Sequence, residues 1–181
     1  MESAVAVERL GADSAREHRD RLAAVLVDCV EGGASVSFMA PFSLDDARAY
    51  FASIEPEVAV GTRVLLAAFL DGDVVGTVQV TAAWPPNQPH RADVAKLLVR
   101  RSSRNRGIGR KLMERAEAEA REQGWTLLVL DTVTGDPAER LYEQMGWTKV
   151  GVIPGFALYP DGRPCDTTVF YKTLGEPAGG A

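Results

Sequence analysis

Residues 97–109 read Leu-Leu-Val-Arg-Arg-Ser-Ser-Arg-Asn-Arg-Gly-Ile-Gly, an apolar run that ends in a basic, glycine-containing turn. A helix that starts directly after such a turn offers amide groups with no intrahelical acceptor. The helix dipole and nearby arginines add positive potential, so the segment has the makings of a pyrophosphate site. Its pattern is R-x-x-G-x-G at Arg104, Asn105, Arg106, Gly107, Ile108 and Gly109. It matches neither the dinucleotide-binding G-x-G-x-x-G nor the phosphate-loop G-x-x-x-x-G-K-[ST]. Two carboxylates can face a ligand: Asp93 enters a strand beside a proline-rich loop, and Asp131 stands at the carboxyl end of the run 126–130, where parallel sheets place ligands. Either can exchange a proton with a ligand. Tyr142 lies in a short amphipathic segment beyond them.

These residues need a scaffold, and the patterning supplies one. Residues 4–10 read as a strand, and Asp13 or Ser14 can cap a helix with Leu22, Val25, Leu26 and Cys29 on one stripe, ended by Gly32-Gly33. Residues 34–41 read as a loop. Ser43 with Asp46 predicts a capped short helix through Ile54, stopped by Pro56. The runs 62–70 and 74–81, joined by Asp71-Gly72, predict a hairpin, and residues 84–90 a loop, because its prolines remove ladder donors. A strand over 93–99 is followed by the basic loop 100–109 and a helix to Gln123, whose alternating Glu, Arg and Lys read as a salt-bridged outer face. A strand over 126–130, a short helix over 137–145 and strands over 149–153 and 167–174 complete the chain, with residues 154–164 a loop. One domain over 1–174 and a disordered tail over 175–181 are expected.

Composition narrows the function classes. The 181 residues are 46% hydrophobic and 25% charged with a net charge of −5, enough for one globular domain that buries about 70% of its unfolded surface. An acidic balance does not suit a nucleic-acid binder, whose affinity comes from neutralising phosphates. The apolar runs 64–70 and 127–130 fall far short of the roughly 20 residues that cross a bilayer, and the N-terminus lacks the basic start and apolar core of an export signal. Cys29 and Cys165 are the only cysteines. Nothing near them has metal-ligand spacing, and both suit a reducing cytoplasm. Neither a membrane nor a nucleic-acid partner is expected, a homodimer stays open, and no metal is implied. His90, alone in the proline loop, reads as an ordinary turn residue. Trp125 and Trp147 read as core, while Trp84 can wall a pocket for a cation.

The segment Leu97–Gly109 resembles motif A of the GNAT superfamily of acetyl-CoA-dependent N-acetyltransferases, in which a strand ending L-x-V feeds [QR]-x-x-G-x-[GA]. The run Ala138-Glu139-Arg140-Leu141-Tyr142-Glu143-Gln144-Met145-Gly146-Trp147 resembles the family's A-x-x-L-Y-x-x-x-G-[FW] at the expected distance. More narrowly, His90-Arg91-Ala92-Asp93-Val94 and Cys165-Asp166-Thr167-Thr168 look like the tabtoxin-resistance branch. The likeness is specific over about residues 60–174; the first 60 match in element order alone.

The resemblance implies an α/β GNAT fold: a mostly antiparallel mixed sheet of about seven strands flanked by helices, with a parallel pair splayed at the cofactor. It implies acetyl-CoA as co-substrate and a small-molecule amine as acceptor. In matching positions the amides of Arg104–Arg110 (Arg104, Asn105, Arg106, Gly107, Ile108, Gly109, Arg110) bind the pyrophosphate, with Arg100 and Arg101 either helping or lying solvated. Leu97, Leu98 and Val99 pair with the pantetheine arm where a bulge opens the strand. Gly135 stands where the family often has Asn, so one side-chain contact is missing. An amine of pKa about 10.4 arrives protonated and must lose a proton before attack, a task for Asp93 or Asp131. A strand amide near Leu98 can hold the oxyanion, and Tyr142 matches the usual general acid to the departing thiolate. Cys165 has no base beside it, so direct transfer is expected. The acceptor reads as small and cationic or amino-acid-like, and the branch resemblance implies a toxin or antibiotic. A peptide amine, or a non-catalytic acyl-CoA sensor, is the alternative.

Overall fold

The computed structural model describes residues 4–175. The tail expected from residue 175 lies, from Glu176 on, outside the described residues. Seven strands form one sheet: β1 (Ala6–Leu10), β2 (Arg63–Leu70), β3 (Asp73–Ala82), β4 (Arg91–Val99), β5 (Leu127–Val133), β6 (Thr148–Leu158) and β7 (Pro164–Thr173). Their order is β1-β2-β3-β4-β5-β7-β6. Every pairing is antiparallel except β4 with β5, which is the mixed sheet the motifs imply.

Helices cover both faces. On one face lie α1 (Ala12–Glu17), α2 (Arg19–Glu31) and α3 (Leu44–Val60), closing a core around Leu22, Leu26, Phe51, Leu65 and Leu98. On the other lie α4 (Ile108–Glu122) and α5 (Pro137–Gln144), closing a core around Leu66, Val78, Leu112, Leu128 and Phe170. Consecutive strand residues feed opposite cores, as the two-residue period demands. Trp125 and Trp147 are buried in the second core as expected.

The structure departs from the pattern reading in four places. The first helix is two, broken at His18 (φ −94°, ψ 8°), whose ring packs edge-on against Phe69. Helix α3 runs through Pro56 to Val60, because its buried stripe Ala47, Phe51, Ile54 and Val58 continues past the proline, and the left-handed Gly61 (φ 78°) is the actual stop. The capping box at Ser43 forms as predicted, with Asp46 N–H donating to Ser43 Oγ and Ser43 N–H to Asp46 Oδ2. Strand β6 extends through Pro154 to Leu158, with a register irregularity after Ile153; an edge strand needs no donor on its outer side, so the proline is tolerated. Last, α4 is not charged only on its outer face. Glu119 is 1% exposed and takes ion pairs from Arg9 and Arg115. Glu117 accepts from Trp147 Nε1 at 3.0 Å and Lys172 Nζ at 2.8 Å. Buried carboxylates persist only when paired in this way, and here they tie α4 to β1, β7 and the turn after α5.

Candidate active site

The site begins where the sheet comes apart. β4 pairs with β3 through Gly76↔Val99 and Thr77↔Leu98, and the next pairing is Gln79↔Ala95. Lys96 and Leu97 therefore stand opposite Val78 alone, a bulge, and Lys96 adopts φ 56°, a left-handed conformation that side chains other than glycine rarely take. On its other edge β4 pairs with β5 only over Arg91–Asp93 against Leu127–Val129. Beyond Asp93 that ladder stops, and a cavity of about 450 Å³ opens toward β5, α4 and α5. The bulge expected beside Leu97–Val99 is present.

Glycine shapes the mouth of the cavity. Gly107 is left-handed (φ 72°) at the start of α4 and no side chain caps the helix, so its first amides lack internal acceptors. Leu97, Leu98, Val99, Arg104, Asn105, Gly107, Ile108 and Gly109 line the cavity together. Arg104 is held in this lining by its Nε, which donates to the Val99 carbonyl at 3.2 Å. The other arginines of the loop do not line it. Arg106 is exposed and Arg110 donates to Gln144 at 3.2 Å. Arg100 pairs with Asp73 at 3.0 Å, and Arg101 pairs with Asp28 at 2.9 Å, which anchors the loop to the end of α2.

Tyr142 and Asp131 line the same cavity from α5 and β5. Tyr142 is 5% exposed, wedged between Trp147 and Phe170. Burial, and then the negative charges of Asp131 and Asp136, push its hydroxyl well above the usual tyrosine range. The hydroxyl therefore keeps its proton at physiological pH. The Asp131 carboxylate accepts from Thr167 Oγ1 at 2.8 Å, and that hydroxyl also lies 3.0 Å from the Thr132 carbonyl. Thr167 comes from the Cys165–Thr168 segment singled out above, so this short run orients the carboxylate.

Asp93 and Asp131, the two candidate carboxylates, line adjacent but different spaces. Both stand on the sheet face covered by α2 and α3, but the parting of β4 from β5 lies between them. Asp93 lines a neighbouring open hollow, and Arg91 donates to its carboxylate. Ala95 and Lys96 line both spaces and form the sill between them. Trp84 walls neither, being 90% exposed.

Several lining residues had no motif to announce them. The turn Gly32–Val36 after α2 closes one side, near the buried thiols of Cys29 and Cys165. Gly135 is left-handed (φ 86°) and donates its N–H to Glu139 Oε2 at 2.7 Å; its neighbour Asp136, at the N-cap of α5, is the residue that reaches the cavity. Burial raises the Asp136 carboxyl above its usual range, against the pull of Arg104. Asp directly before a helix-opening Pro was the available signal, though it announces a cap rather than a site.

The assembled groups fit an acyl thioester carried on a long arm that ends in a diphosphate. The unpaired edge of β4 can hydrogen-bond the amides of such an arm, while the free amides of α4 with Arg104 can hold the diphosphate. Comparison with known proteins agrees. Residues 34–147 match the model of the acetyltransferase (GNAT) family. An uncharacterised N-acetyltransferase from Azospirillum brasilense is 29% identical over 106 residues, 58% of this chain and 61% of its own length. An acetyltransferase from Agrobacterium fabrum is 43% identical over 58 residues, 32% of this chain and 42% of its own. The chain thus spans less than two thirds of either curated relative. Among solved structures, an acetyltransferase from Salmonella typhimurium with its cofactor acetyl-CoA superposes with a TM-score of 0.79 at 21% identity, over 97% of both chains. With the splayed parallel pair, the glycine-led helix and a family match over more than half its length, the chain belongs to the GNAT family of acetyltransferases.

Proposed function

We propose that this protein transfers the acetyl group of acetyl-CoA directly to the primary amine of a small acceptor, cationic or amino-acid-like. The observation that carries this reading is a single cavity lined by Tyr142, Asp131, the open edge of β4 and the start of α4. Acetyl-CoA supplies the activated acetyl thioester. Arg104, Asn105 and the amides from Gly107 to Gly109 bind its diphosphate, and Leu97–Val99 offer the strand edge.

Asp131 is the group placed to take the proton from an ammonium that enters past Ala95. Its negative charge is also one of the causes that hold the Tyr142 hydroxyl protonated. Proton capture by Asp131 removes that charge and lowers the cost of deprotonating Tyr142, so base and acid are coupled in the order that direct transfer requires. Neither buried thiol is needed. The likeness to the tabtoxin-resistance branch supports a toxin or antibiotic as acceptor. Arg91 and Thr167, from the two segments that carry that likeness, hydrogen-bond the two candidate carboxylates, Asp93 and Asp131.

The test is release of free CoA from acetyl-CoA across a panel of amines: basic amino acids, polyamines, dipeptides of the β-lactam-toxin type and peptide N-termini. Release with a small amine supports the reading. Release with peptides alone turns it toward protein acetylation. Acetyl-CoA binding without release under any acceptor makes the chain a sensor and overturns catalysis.

A further inference from the structure

The hollow beside the cofactor cavity has a chemical character of its own. It lies on the face of the sheet covered by α3, over the cross-strand rows Arg63–Thr81–Asp93 and Leu65–Gln79–Ala95, and is roofed by Tyr50 and Phe38. Gln79 is fully buried at its floor. Its Oε1 accepts from the Tyr50 hydroxyl at 2.9 Å and from Arg63 Nη1, whereas its Nε2 has no acceptor among the described residues. The amide cannot be turned to hide that donor, since a guanidinium only donates and must face an oxygen. A buried donor without an acceptor costs about 1–3 kcal/mol and calls for an explanation.

The charges are equally one-sided. Arg63 is paired with Glu57 at 2.8 Å and Asp93 with Arg91, so both are neutralised within the protein. Lys96 is not. Its ammonium donates to Ser37 Oγ at 3.0 Å and lies 5.8 Å over the Phe38 ring, with no carboxylate partner among the described residues. Burial, and then the nearby Arg63, hold this lysine below its ordinary range, and the attraction of the more distant Asp131 carboxylate, which makes no ion pair with it, does not offset them.

We propose that this hollow binds the carboxylate of the acceptor, which makes the substrate an amino carboxylate rather than a simple cationic amine. One carboxylate oxygen takes the Lys96 ammonium and the other the Gln79 amide, while the amine reaches over the sill at Ala95 toward Asp131. The left-handed bulge at Lys96 then serves two purposes, opening β4 to the co-substrate and aiming its ammonium at the acceptor. This inference rests on the acetyl-transfer reading, because it concerns the acceptor of that reaction.

The experiment compares matched pairs of compounds. Free amino carboxylates (the α-amino acids, β-alanine and γ-aminobutyrate) and their carboxamides are assayed for CoA release with the parent protein, with Lys96→Met and with Lys96→Arg. The same compounds are titrated calorimetrically into the CoA-saturated protein. The parent should prefer carboxylates to carboxamides by about ten- to a hundredfold in kcat/KM, the worth of a charge-assisted hydrogen bond. That ratio should fall toward one in Lys96→Met and return in Lys96→Arg. Turnover of both classes at equal rates by the parent would overturn the carboxylate site and leave acetyl transfer intact. Carboxylate-selective binding without CoA release would support the site and overturn catalysis. An absence of both binding and turnover would overturn the site, and a ratio unchanged in Lys96→Met would do the same.

Discussion

Tyr142 has two duties, as an aromatic wedge against Trp147 and Phe170 and as a hydroxyl on the cavity wall, and one atom separates them. Tyr142→Phe keeps the ring and should lower kcat by about 10²–10⁴, the range of a positioned general acid. Acetyl-CoA affinity by calorimetry should be preserved; a kcat near that of the parent would leave packing as its only role. Asp136 poses the opposite problem, because its carboxylate stands beside the amides and arginine proposed to hold a diphosphate. Its side chain makes no cap hydrogen bond and burial disfavours its charge, so Asp136→Asn should leave the melting temperature at neutral pH the same or slightly higher. It should tighten acetyl-CoA binding by several fold at low salt, roughly what one nearby surface charge is worth. Equal or weaker binding would mean that this carboxyl contacts the co-substrate as a hydrogen-bond partner.

At the scale of elements, α3 shows which signal prevails when two conflict. Pro56 removes one helical hydrogen bond and crowds the carbonyl a turn earlier, yet Phe51, Ile54 and Val58 on a single stripe outweigh that loss. Pro56 is exposed, so its replacement disturbs no core contact. Pro56→Ala should therefore stabilise the protein by about 1–3 kcal/mol, read as a higher midpoint in denaturant at constant slope. A lower midpoint would show that the proline restrains the unfolded chain more than it strains the helix. At the two helix starts that line the site, backbone preference prevails instead. The left-handed Gly107 starts α4 and Pro137 starts α5, so both helix ends that meet the cavity are set by backbone preference.

For the whole molecule, the contact that closes the cavity joins distant parts of the chain. Asp28 near the end of α2 accepts from the Arg101 backbone N–H at 2.7 Å and from its Nε at 2.9 Å, which holds the turn at Gly32 against the cofactor loop. Burial opposes the charge on Asp28, but these hydrogen bonds outweigh it and lower the carboxyl below its usual 3.8. A carboxylate with a lowered folded value stabilises the protein fully above its unfolded value and loses that contribution as the pH falls through the folded one. Asp28→Asn should thus lower the melting temperature at neutral pH, with the gap to the parent closing below about pH 4. A gap that persists into acid would assign the effect to shape instead of charge. Over the described residues no helix is long and apolar enough to cross a membrane.

The basic glycine loop and the helix after it were legible in the linear order of residues, because a glycine-led helix start directly after a strand is a local arrangement set by backbone sterics. The hairpin at Asp71-Gly72, the capping box at Ser43 and the short helix at Pro137 were legible for the same reason. Only tertiary structure could decide which carboxylate shares a cavity with Tyr142. Asp93 and Asp131 both sit on strands at positions facing one side of the sheet, and no local rule distinguishes them. The bulge at Lys96 and the early end of the β4–β5 ladder put Asp131 in the cavity that Tyr142 lines and leave Asp93 to Arg91 in the hollow beyond. Glu117 and Glu119 likewise look like surface residues on α4, until Arg9, Trp147 and Lys172 arrive from elements up to 110 residues away. What the sequence determined were the pieces whose energetics are local; what the fold decided were pairings across strands and helices, where the partner of a charge depends on how the sheet twists and parts.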